Sequence, residues 1–76
     1  MNVKDEVLAI IAKVLEVTVA DLDDDTAIGD FPTWDSLHHL SIISEIEQKF
    51  EIQFTPDVLM DLEDVGDIVQ AVEERV

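Results

Sequence analysis

The chain has 76 residues and no cysteine, and its 19 acidic against 4 basic side chains give a formal charge of -15 at neutral pH. That length allows one domain, and the lack of thiols excludes both a disulfide framework and cysteine-ligated metal. So negative a surface makes nucleic acid and anionic membrane poor partners, since both are bound by neutralising phosphate with Lys and Arg, and makes basic proteins the expected ones; neither nucleic acid nor membrane binding is expected.

A hydrophobic fraction of 47% is too high for a disordered acidic tail. The longest apolar run, Val7 to Ala12, has six residues, far short of the roughly 20 that cross a bilayer. The segment Met1 to Glu6 lacks the features of a secretory signal. A cytoplasmic monomer is expected.

In chain order, Val3 to Val17 carries Val7, Leu8, Ile11, Val14 and Leu15 at helical spacing, with Asp5, Glu6, Lys13 and Glu16 between them. This predicts a first amphipathic helix. From Thr18 to Asp35 the period is lost, and Gly29, Pro32 and the aspartates mark a long irregular loop. Leu22, Ile28, Phe31 and Trp34 are spaced along it as if to pin it to a core. Within the loop, Asp21, Asp23 and Asp25 have the spacing of a calcium loop. Thr26 stands where its glycine is needed, however, and Pro32 where its bidentate glutamate belongs, so a solvated acidic loop is expected and no metal site.

Asp35 is placed to cap a second helix at Ser36, with Leu37, Leu40, Ile43, Ile46 and Phe50 as its apolar stripe and Ile42 on one flank. Glu51 to Thr55 alternates like a strand but has no convincing partner, and reads as an extended link burying Ile52 and Phe54. Pro56 suits the first position of a short third helix ending at Leu62. Asp64, or Glu63, caps a last helix running to about Arg75, with Val65, Ile68, Val69 and Val72 inward. The sum is an all-α domain: a small four-helix bundle of three longer helices and one short third helix, with a long loop between helices 1 and 2.

A serine after a capping aspartate is first of all a helix start. Ser41 and Ser44 lie inside the same helix, where a solvent-facing or back-bonding role is expected. His38 and His39 diverge by about 100° around the helix, so they do not converge on one ion. Trp34 fits equally a contact for an arriving partner and an anchor for the loop.

The wider pattern says more. Asp35-Ser36-Leu37 with Leu40, Ile43, Ile46-Glu47 and Phe50 resembles the attachment motif of acyl carrier proteins and the related carrier domains of peptide and polyketide synthesis. The resemblance spans the whole chain, through Ile28-Gly29-Asp30 in the loop and Asp64-Val65-Gly66-Asp67-Ile68 at the last helix. It implies that Ser36 carries 4′-phosphopantetheine through a phosphodiester, whose thiol holds acyl groups as thioesters in fatty acid, polyketide or nonribosomal peptide biosynthesis. It implies no catalytic residue in the chain, and as partners a phosphopantetheinyl transferase and acyl-loading and acyl-using enzymes with basic docking patches. Asp35, Leu37, Glu45 and Glu47 would meet those patches. His38 and Ser41 stand where many fatty-acid members are acidic, which bears on which enzymes dock. The length suits a discrete carrier, and equally one excised from a larger synthase. The alternative from another class is an acidic helical interaction module without a prosthetic group.

Overall fold

The computed structural model describes residues 2–76. Asn2 opens the first helix, its Oδ1 accepting the Asp5 N–H at 2.8 Å, and α1 runs Val3–Leu15. Asp5 and Glu6 in its first turn and Lys13 in its last complement the helix dipole. The helix stops before the expected Val17 because Glu16 turns left-handed at φ 59 and donates its N–H to the Ala12 carbonyl. That cap usually falls to glycine, so nothing in the side chain announces it.

The second helix, α2, spans Ser36–Phe50. Its inward residues are Ile42, Ile43 and Ile46, while Leu37 and Leu40 are 71% and 61% exposed. The stripe expected to include those two leucines is thus corrected. Steps of three residues advance only about 300°, so a stripe built on them drifts by about 60° per step, and Leu37 ends half a turn away from Ile46. After the extended link, in which Phe54 is buried and Ile52 half-buried, α3 covers Pro56–Asp61 with Pro56 in its first turn. The last helix, α4, covers Val65–Glu73, two residues short of the expected Arg75, and is capped by Asp64, whose Oδ1 accepts the Asp67 N–H at 2.7 Å.

α1 packs against both α2 and α4. Val7, Ile11 and Leu15 of α1, Ile42 and Ile46 of α2, and Val65, Ile68 and Val72 of α4 are almost wholly inaccessible. Each such side chain contributes about 1.5–3 kcal/mol of burial free energy.

The long loop is ordered by being sewn to the start of α4. Ile28 N–H donates to the Glu63 carbonyl at 2.9 Å, Val65 N–H to that of Thr26 at 2.9 Å and Gly66 N–H to that of Asp24 at 3.0 Å. A Cβ on Gly66 would lie 3.2 Å from that Asp24 oxygen, so the close approach favours glycine. Buried Leu22 and Trp34 hold the rest down. A short 3-10 turn, Val19–Asp21, unforeseen in the sequence, opens the loop, with Asp21 Oδ2 accepting from Thr18 N–H and Oγ1 at 3.0 Å. The aspartates beyond it are less isolated than the sequence implies, since Lys4 Nζ lies 3.0 Å from Asp24 Oδ1.

Candidate functional site

Ser36 is exposed and is the first residue of α2. Asp35 fixes it there: extended at φ -101 and ψ -176, it accepts the His38 N–H on Oδ1 at 2.9 Å. The same oxygen lies 2.9 Å from His38 Nδ1. The Asp35 carboxyl is held below the usual carboxylate range by the His38 backbone N–H first and the His38 ring second. The His38 imidazole is thereby directed to Asp35. Ser36 is left as an unactivated hydroxyl at the positive end of a 15-residue helix, where a negative phosphodiester is favoured. Its exposure means that esterification displaces no packed side chain, so the residues present fit a phosphopantetheinyl group.

Around Ser36 the expected contact residues divide. Leu37 and Asp35 face solvent. Glu45 lies lower on α2 and pairs with Lys13 at 2.6 Å, and Glu47 is half-buried, its Oε2 accepting the Phe54 N–H at 2.8 Å. Met60 on α3 is 79% exposed, an apolar side chain that the sequence reading does not single out. Ser41 and Ser44 are exposed within the helix. Trp34 is 1% exposed, so it anchors the loop. His38 and His39 are each partly buried and take different partners, Asp35 and Trp34. No cluster of three or more His, Asp or Glu side chains able to hold a metal ion occurs among the described residues.

The family model for the phosphopantetheine attachment site matches residues 5–72. The acyl carrier protein of Chlamydia trachomatis serovar D is 32% identical over 75 residues, covering 99% of this chain and 97% of that protein. That of Chlamydia muridarum is 29% identical over the same coverage. The solution structure of the holo acyl carrier protein from Geobacter metallireducens superposes with a TM-score of 0.86 at 29% identity, covering 99% of this chain and 86% of that one. The chain belongs to the phosphopantetheine-attachment family, the acyl carrier proteins. Its fold is that family's helical fold, and the prosthetic group is phosphopantetheine. The interaction module without a prosthetic group is the less favoured reading.

Proposed function

We propose that Ser36 is the residue that carries the 4′-phosphopantetheine, and that the loaded chain moves acyl groups between separate biosynthetic enzymes. One observation carries the assignment: Ser36 is an exposed hydroxyl held at the amino terminus of α2 by the Asp35 cap, whereas Ser41 and Ser44 sit within the helix. The prosthetic group supplies a thiol on a flexible arm, which holds the acyl group as a thioester; with no cysteine, the chain supplies none.

The chain's own residues hold and present. Asp35 fixes the backbone at Ser36, and the α2 amino terminus favours the attached phosphate. Leu37 offers an apolar contact beside the serine, while Asp35, Glu45 and Glu47 give the α2 face a negative sign that suits basic patches on a phosphopantetheinyl transferase and on acyl-loading and acyl-using enzymes. Asp35, Glu45 and Glu47 all have partners within the chain, so Leu37 is the freest part of that surface. The chain acts as a carrier and not as a catalyst. No helix among the described residues is long and apolar enough to cross a membrane.

Incubation with coenzyme A, magnesium and a broad-specificity phosphopantetheinyl transferase should add the mass of one phosphopantetheinyl group, mapped to the peptide containing Ser36. An unchanged mass, or modification of Ser36→Ala, would overturn the proposal.

A further inference from the structure

Trp34 enters the core from the loop, but what receives its polar edge lies one turn inside α2. The indole Nε1–H donates to His39 Nδ1 at 3.0 Å, with the rings stacked at 26° and centroids 6.0 Å apart. The backbone of Trp34 is fixed as well: its N–H donates to the Phe31 carbonyl at 3.0 Å and its carbonyl accepts the Gly29 N–H at 2.9 Å. Indole and loop end therefore form one unit, and the next two residues are Asp35 and Ser36.

The donor dictates the state of the imidazole. An indole N–H has no acceptor function, so His39 Nδ1 must be unprotonated and the neutral ring carries its hydrogen on Nε2. A proton on Nδ1 would set two N–H groups face to face and abolish the bond. Burial pushes the His39 pKa down, and the nearby backbone of Leu62, at the end of α3, opposes this less strongly. Among the described residues, the titratable groups on the surrounding elements form no ion pair with the His39 ring. Asp35 pairs with His38, Asp30 in the loop accepts the Ala27 N–H at 2.8 Å, and Asp61 and Glu63 flank Leu62. No carboxylate lies within 4.0 Å of the His39 ring among the described residues.

We propose that His39 is a positioning residue for the modification of Ser36: neutral, it fixes the Trp34 indole and so helps to set the end of the loop that enters the serine, and protonated on Nδ1, it gives up that bond. The inference rests on Ser36 being the attachment residue. It adds a pH dependence that belongs to the carrier and not to the modifying enzyme.

Trp34 is the only tryptophan and there is no tyrosine, so intrinsic emission reports on the surroundings of this indole, and the His39 variant isolates the part due to the contact. The test uses the unmodified full chain, with His39→Gln and His38→Gln. Glutamine at position 39 keeps an acceptor for the indole and cannot titrate. Emission is followed from about pH 8 to about pH 5, and the rate of Ser36 modification is measured for each variant at both ends of that range, with folding checked by circular dichroism. The parent and His38→Gln should show an emission change with a midpoint below the ordinary histidine value of about 6.5, and His39→Gln should show none. The parent's modification rate, divided by that of His39→Gln, should fall about fivefold on acidification, the weight of one ordinary hydrogen bond.

An emission change that persists in His39→Gln would overturn the proposal. So would a rate ratio that stays level while the emission titrates, since the bond would then be structural only. If no variant gains the prosthetic group at Ser36 although the emission titrates as described, the attachment reading fails and the positioning role falls with it, leaving the His39–Trp34 bond established.

Discussion

Glu47 Oε2 accepts the backbone N–H of Phe54 at 2.8 Å across seven residues of chain. Phe54 is 4% exposed and lies under the Arg75 guanidinium, 5.2 Å from the ring centre. One carboxylate on α2 thus sets where the link between α2 and α3 enters the core. Removing the acceptor leaves a backbone N–H unpaired at the edge of the core, so Glu47→Ala should lower unfolding stability by about 1–2 kcal/mol. Glu47→Gln, which keeps an oxygen there, should lose much less. Urea unfolding of both variants checks this, and equal losses would show that the bond is not what matters.

Leu37 is the converse case, with 71% of its surface exposed and no role in the core. Leu37→Ala should leave the melting temperature within about 2 °C of the parent, as for other exposed substitutions, while slowing modification of Ser36 at every salt concentration, because an apolar anchor acts on residence time. A parental rate in the folded variant removes Leu37 from the docking surface.

Charge strain should be visible in salt. With a formal charge of -15 and, among the described residues, only an exposed Lys4–Asp24 pair at 3.0 Å near the loop aspartates, self-repulsion opposes the compact state. A surface pair contributes at most about 1 kcal/mol, too little to cancel it. Added sodium chloride, and magnesium at millimolar concentration, should therefore raise the melting temperature. Unchanged or lower values in both would refute charge strain as a limit on this fold.

The pH dependence of stability has a definite sign. His39 has a lowered pKa in the fold, so the unfolded chain binds its proton more readily. The associated stability is complete above the unfolded value of about 6.5 and is lost as pH falls through the folded value. Asp35, also lowered, acts in the same direction but further down, beginning below its ordinary 3.8. The difference in stability between the parent and His39→Gln should shift against the parent between neutral pH and about pH 5. Thermal unfolding of both proteins across that range gives the answer, and parallel curves would contradict the lowered pKa.

α1 and α4 were legible because their apolar residues recur on one face, and the starts of α2 and α4 because Asp35 and Asp64 are strong amino-terminal caps; the stripe read on α2 wrongly took in Leu37 and Leu40. Helix ends were less so. Glu16 and Glu51 both close helices with positive φ, 59 and 55, a conformation that glycine usually marks and glutamate does not. The turn at Val19–Asp21 had a signal in Thr18 and Asp21, three residues apart as in a reciprocal cap. At the candidate site, the position of Ser36 at a capped helix start follows from sequence. That Trp34 is received by His39, and that Glu47 reaches the Phe54 backbone, depends on side-chain directions that spacing alone does not carry.

The central claim is that the chain's only thiol arrives with a prosthetic group on Ser36. Because the sequence has no cysteine, titration with a chromogenic thiol reagent under denaturing conditions reads this directly. The account predicts no reactive thiol before treatment with the transferase and coenzyme A, one per chain after it, and none in treated Ser36→Ala. A thiol gained by Ser36→Ala, or none gained by the parent, would contradict it.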